Sequence, residues 1–432
     1  MIDVSLPVHP AMLHGGPRPV KTMVETIAGG DAADVSRWLL SAHAGTHVEA
    51  PLHLRDGADA IEALPLDLLV GPATVLDLTA VTGEIDAADL VALLGDGGAP
   101  ERLLLKTTNS AGPLQESDKA DEWVGLAPDA AALLVERGVR VLGVDYLTVE
   151  SPAREATFDA HAVLNGADVV VIESVDLRAV SAGEHELICL PLKLRGAEAA
   201  PARVVLVPAS GGAAGAGAPI DISVEVAPEM LHWGRSPEVT VVESLAGGNN
   251  CNVTRWLMGS HTGTHLDAPA HYIAGGATID AIALDVFAGP ARVLDLSGVE
   301  GDVTAADLEA AGLGHGDERV LLRTANSASA DGALRAAEKP ATWTGLAPDG
   351  ARLLVDRGVR LVGIDFLTID GPTRTDRWES HHVLCGAGVV ILECADLLDV
   401  ADGHYELVAL PIPLRGSEAA PGRAFLRPLG GD

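Results

Sequence analysis

Aromatic side chains are scarce in this chain, only 3% of 432 residues. A core with so few rings has to be built from Val, Leu, Ala and Ile. Cysteine is also rare. The four cysteines, Cys189, Cys251, Cys385 and Cys394, form no C-x-x-C pair. That excludes a disulfide scaffold and leaves reduced cytosolic thiols as the expectation. Basic residues are few, with 29 Lys and Arg against 61 Asp and Glu and a net charge of −32. Nucleic acid and anionic membrane surfaces, which need clustered Lys and Arg, are excluded as partners. The negative charge reads as a solubility feature. No apolar run approaches a membrane span. Met1 is followed by Ile2-Asp3-Val4-Ser5, without the basic and apolar regions of a signal peptide. A cytoplasmic protein acting on a small molecule is expected.

Hydrophobic content is 48%, enough for well-buried cores. The length suits two domains of about 200 residues each. One segment occurs twice. His43-Ala44-Gly45-Thr46-His47-Val48-Glu49-Ala50-Pro51-Leu52-His53 returns as His261-Thr262-Gly263-Thr264-His265-Leu266-Asp267-Ala268-Pro269-Ala270-His271, at an offset of 218. The repeat extends beyond the histidines. Val35-Ser36-Arg37-Trp38 matches Val253-Thr254-Arg255-Trp256, Gly125-Leu126-Ala127-Pro128-Asp129 matches Gly345-Leu346-Ala347-Pro348-Asp349, and Gly143-Val144-Asp145 matches Gly363-Ile364-Asp365. The offset stays between 217 and 220. Small insertions over so long a repeat predict two copies of one fold, over 1–208 and 220–432. Residues 209–219, rich in Gly and Ala, read as a linker.

Within a copy the pattern is mixed. Val139–Val144 and Val169–Ile172 are β-branched runs suited to buried strands. Pro128–Arg137 has helical spacing, opens on Pro-Asp and stops before Gly138. Asp86–Leu94 is a second helix. The expected class is α+β with a sizeable mixed sheet.

Three histidines and a carboxylate within eleven residues form a donor set that suits Zn²⁺ or Mn²⁺. His43 and His47 are four apart, as on a helix, but Gly45 between them and Pro51 beyond oppose a helix. In a strand, residues two apart share a face. His47 then lies beside Glu49, and His265 beside Asp267, while the Gly-Thr turn swings His43 or His261 back. Further on, His161 and Glu173 are twelve apart, as are His381 and Glu393. Each Glu ends an apolar strand, where an ionised carboxylate is costly unless a cation pairs with it. Five ligands per copy can hold two ions, with Glu49 or Asp267 as a bridge. Asp145, Asp365, Asn109-Ser110 and Asn326-Ser327 follow strands and can line a pocket, although such positions more often cap turns.

The motif resembles H-x-G-T-H-x-D-x-P-x-H of the metal-dependent cyclase family, which includes bacterial kynurenine formamidase and isatin hydrolase. The resemblance covers both copies. It implies a swivelling β/β/α domain that pairs as a dimer, so the two copies here are expected to pair within one chain as a pseudo-dimer, with further homo-oligomerisation open. It implies that His261, His265 and Asp267 bind a first ion, with Asp267 bridging to a second held by His381 and Glu393. It makes His271 the catalytic histidine and Trp233 a substrate contact. The first copy maps on as His43, His47, Glu49, His161 and Glu173, with His53 catalytic. It departs in two places. Glu49 replaces Asp, which shifts the ion or breaks the bridge. Gly15 stands opposite Trp233, which removes an aromatic wall. The first site is therefore a modified catalyst, a catalyst of different specificity, or a relic.

The expected chemistry is hydrolysis of a small linear or cyclic amide: a formamide, a lactam or an imide. Metal-activated water attacks, and the catalytic histidine transfers the proton. No Gly-x-Ser-x-Gly elbow or Cys-His nucleophile signature is present. A cyclase or dehydratase using the same site is the alternative enzyme, and a non-catalytic binder the alternative of another class.

Overall fold

The β-branched runs become neighbouring strands. Val141–Val144 and Val170–Glu173 pair in parallel, Val141 opposite Val170. Both are buried throughout, as befits parallel strands covered on both faces. The computed structural model describes residues 1–209, 217–230, 234–327, 332–336 and 338–429. Among these, each copy builds an eight-stranded mixed sheet. In the first, the order is Ile2–Asp3, Ala199–Pro208, Gly183–Pro191, Val70–Asp77, Arg102–Lys106, Val141–Val144, Val170–Glu173 and His47–Glu49. The short His47–Glu49 strand also pairs back onto Ala199–Pro208. The sheet thereby closes, which removes the open edges of its barrel.

The second copy repeats this topology. His265–Asp267 lies between Val390–Glu393 and Ala419–Pro428, with His265 opposite both Glu393 and Pro421. The register is decisive for the site, because it sets His265 beside Glu393. The fold is α+β with two tandem copies, as expected.

The helices cover the sheets. Ala87–Leu94 carries a capping box between Asp86 and Asp89, which satisfies amide groups the helix cannot. Pro128–Glu136 starts on proline and buries Ala130, Ala131 and Leu134. These join Leu103, Leu142 and Val171 in an aliphatic core. Two helices not anticipated from the sequence, Asp159–Gly166 and Glu379–Gly386, carry His161 and His381. Their preceding residues, Phe158 and Trp378, adopt left-handed backbone (φ 56 and 50) and offer no capping side chain.

Two compact units form, and each takes a segment from the other sequence copy. One comprises Met1–Val20, Leu39–Gly212 and Val239–Trp256; the other comprises Lys21–Trp38, Ala213–Glu238 and Leu257–Asp432. The expected linker falls mostly outside the described residues. No described helix is long and apolar enough to cross a membrane.

Candidate metal centre

Gly45 and Gly263 create the turn that the histidine pairs need. Both have left-handed backbone, φ +68 and +67. A Cβ would also lie 2.9 Å from Val8 Cγ2 at Gly45, and 2.8 Å from Val226 Cγ2 at Gly263. Only glycine meets both demands. The turn brings His43 Nδ1 to 3.2 Å from His47 Nε2. The helical alternative is excluded, since His47–Glu49 and His265–Asp267 are strands.

In the first unit the five expected ligands converge. Glu49 Oε1 lies 3.1 Å from His43 Nδ1 and 3.7 Å from His47 Nε2. Its other oxygen, Oε2, lies 3.2 Å from His161 Nε2. Glu173 lies 3.4 Å from both His47 Nε2 and His161 Nε2. The second unit repeats the set. Asp267 Oδ1 lies 2.8 Å from His261 Nδ1 and 3.4 Å from His265 Nε2, and Oδ2 lies 3.5 Å from His381 Nε2. Glu393 lies 3.4 Å from His265 and 3.3 Å from His381. Despite its extra methylene, Glu49 addresses the same two sides as Asp267.

The donor set fits a divalent ion. Ligand atoms on one ion with bonds of about 2.1 Å stand about 3.4 Å apart in a tetrahedron, which matches these separations. His161 Nε2, His265 Nε2, Glu49 Oε2 and both Asp267 carboxylate oxygens are buried without a hydrogen bond. Orphaned polar atoms of this kind are costly in a core unless a cation engages them.

The Nδ1 atoms of His47, His265, His161 and His381 are tied down. His47 and His265 place Nδ1 2.9 Å from the carbonyls of Gly45 and Gly263. His161 Nδ1 meets Glu150 at 3.1 Å, and His381 Nδ1 meets Asp370 at 2.5 Å. Each arrangement turns Nε2 inward, as outer partners of metal-binding histidines do. Glu150 and Asp370 also accept the His161 and His381 backbone amides. They thus supply the helix start that Phe158 and Trp378 leave uncapped.

His53 and His271 are held from the exchanged segments. His53 Nδ1 lies 2.9 Å from the Asn252 carbonyl, and His271 Nδ1 lies 2.8 Å from the Asp34 carbonyl. His53 Nε2 faces Glu49 at 3.6 Å. Burial pushes the His53 imidazole down to about 4 and His271 well below its ordinary value. Both are neutral near pH 7.

The other histidines behave differently. Burial alone would depress His43, but Glu198 and Glu49 outweigh it and hold it at about 10. Burial is likewise overcome by carboxylates at His47 and His161, which are raised. His265 and His381 are raised against the same opposition. Burial would raise Glu49 and Asp267, yet the surrounding imidazoles hold both well below the usual carboxylate range.

Several residues escaped the sequence reading. Glu198 lies 3.3 Å from His43 Nε2 and accepts from Thr254 N and Oγ1. Glu418 accepts from Ser36 N and from the Ser36 and Ser260 hydroxyls. Each sits in a Gly-x-Glu-Ala-Ala-Pro stretch, and its recurrence at offset 220 was the available signal. Walls also differ. Phe158 packs against His161 in the first unit, whereas Trp378 and Tyr272 pack against His381 in the second. Trp233 lies outside the described residues. Asp145 and Asp365 do not join the ligand clusters. Each accepts from a Thr and a Ser, Asp145 from Thr107 and Ser110 and Asp365 from Thr324 and Ser327. They are buried hubs that fix loops. Asn109 and Asn326 belong to the same networks.

A tandem α+β architecture with a buried histidine–carboxylate cluster in each unit defines a class of metal-binding enzyme folds. The family described as Putative cyclase matches residues 2–151 and 220–371. The chain belongs to this family. It is 37% identical over 212 residues to a kynurenine formamidase from Bacillus cereus, covering 49% of this chain and 97% of that protein. A predicted metal-dependent hydrolase of known structure from Bacillus stearothermophilus is 35% identical, with 47% of this chain and 96% of that chain covered and a TM-score of 0.41. Isatin hydrolase A from Ralstonia solanacearum is 24% identical, with 48% and 90% covered and a TM-score of 0.42.

Proposed function

We propose that this protein is a metal-dependent hydrolase of small linear or cyclic amides, with one site in each unit. The observation that carries the reading is the convergence of inward-turned imidazoles on a buried carboxylate whose oxygens lack other partners. The 37% identity to a kynurenine formamidase over nearly that enzyme's whole length supports a C–N bond of formamide type as the target.

His261, His265, Asp267, His381 and Glu393 would hold Zn²⁺ or Mn²⁺ in the second unit, and His43, His47, Glu49, His161 and Glu173 in the first. Asp267 and Glu49 present one oxygen to each side of their cluster, so each would be shared by the donors on both sides. When bound, a divalent ion brings coordinated water towards neutrality and polarises the carbonyl. His271 and His53, neutral and fixed through Nδ1, take the proton of the attacking water at Nε2. They then deliver it to the departing nitrogen. Burial of the clusters keeps competing water out and strengthens the interactions within them. The four free cysteines, all buried, suit a reducing cytoplasmic setting.

The test is turnover of aryl formamides and cyclic amides by metal-loaded protein, read by product mass. Gain of one water supports the proposal. Loss of one water would replace it with a dehydratase.

A further inference from the structure

Arg255 and Arg37 occupy matching positions, each on the segment that its unit takes from the other sequence copy. Their surroundings differ. Arg37 pairs with Glu238 at 3.1 Å and reaches the Ser236 carbonyl at 3.5 Å. The first copy has Val20 where the second has Glu238, and Arg18 where the second has Ser236. Arg255 consequently has no carboxylate partner among the described residues, while the Nε of both arginines is buried without a hydrogen bond. A cation left unpaired in a chain of net charge −32 is a position where an anion would be favoured.

Arg255 follows Thr254, whose amide and hydroxyl donate to Glu198, itself 3.3 Å from His43 Nε2. Burial pushes His14 down to about 4, and His47, His43 and Arg255 press the same way. His14 Nε2 is buried and also lacks a hydrogen-bond partner. Next to it, no atom lies within 4 Å of the Cβ position of Gly15. The second copy has Trp233 at that place. The first site thus combines an unpaired guanidinium, an unsatisfied imidazole and open room.

We propose that the first site is built for amides carrying a carboxylate, with Arg255 binding that group and His14 beside it in the space left by Gly15. Resting on the hydrolase reading above, it assigns that site a substrate class. The second site, with Arg37 already paired, has no such preference. The duplicated site is then a second specificity, not a relic.

The experiment uses the full chain with His265→Ala, so that turnover reports the first site. Formanilide and 2-formamidobenzoate, which differ by one carboxylate, are compared by kcat/KM. Arg255→Gln is expected to lower the charged-to-neutral ratio by about tenfold or more, chiefly through KM, as for loss of a charge-assisted hydrogen bond. Val20→Glu, which keeps the arginine and restores the partner seen in the other copy, is expected to lower it too. Benzoate binding, followed by calorimetry, is expected to weaken in both variants and with added salt. An unchanged ratio and unchanged benzoate affinity would overturn the proposal. Absence of turnover with both compounds would overturn the hydrolase reading instead. Benzoate affinity would then decide alone, with loss in both variants supporting the anion pocket and no change refuting it.

Discussion

His271 Nδ1 lies 2.8 Å from the backbone carbonyl of Asp34, 237 residues earlier in the chain. The Asp34 amide in turn donates to the His271 carbonyl at 2.9 Å. His53 and Asn252 make the same reciprocal pair in the first unit. Each proposed catalytic histidine is therefore oriented by a segment from the other sequence copy.

This arrangement predicts the outcome of dividing the chain. Residues 1–209 and 217–432 made separately should each lack the segment that orients their histidine. Neither fragment should turn over amides alone, and co-expression should restore activity. Full activity of an isolated fragment would contradict the assigned role of the exchanged segments.

Substituting the two oriented histidines separates binding from catalysis. The double variant His53→Ala/His271→Ala should retain metal and lose turnover by about 10²–10⁴-fold, the scale of general acid–base catalysis. Elemental analysis and kinetics check this together. Loss of metal along with activity would make these histidines ligands.

The turn glycines are predicted to tolerate no side chain. Gly263→Ala forces a Cβ to 2.8 Å from Val226 Cγ2 at φ +67. The combined strain should destabilise the second unit by about 1–3 kcal/mol and weaken its metal binding. Thermal melting and metal titration of this variant against the unchanged chain provide the check.

Metal binding should release protons. Without metal, His161, His265 and His381 are raised well above their ordinary value and His47 is raised, against the effect of burial, by neighbouring carboxylates and, at His381, first by Tyr272, which favours their charged forms. Ligation requires the neutral imidazole. Affinity should fall as pH falls, because imidazolium is favoured. Calorimetry in two buffers of different ionisation enthalpy should show net proton release, and an absence of release would contradict the ligand assignment.

Much of the site was legible in the sequence because it is local. His43, His47, Glu49 and His53 lie within eleven residues, and the Gly-Thr between the histidines, with Pro51 beyond, opposes a helix. Glu173 and Glu393 were legible because a carboxylate ending a β-branched strand conflicts with its surroundings. What could not be read depends on distant pairing. The strand Val35–Ser41 alternates in burial along most of its length, a pattern of local covering that carries no mark of the exchange. Glu150 and Asp370 begin the helices of His161 and His381 from eleven residues upstream, where local capping rules do not look. Asp145 and Asp365 were expected to fix turns more often than to line a pocket, and their carboxylates are taken up by Thr, Ser and Asn donors.

The most direct test of two working sites is metal content per chain, measured for the unchanged protein and for His47→Ala and His265→Ala. The account predicts that each variant loses part of the bound metal, and that the double variant loses all of it. Metal unaffected by His47→Ala, or absent from the unchanged protein after gentle purification, would contradict it.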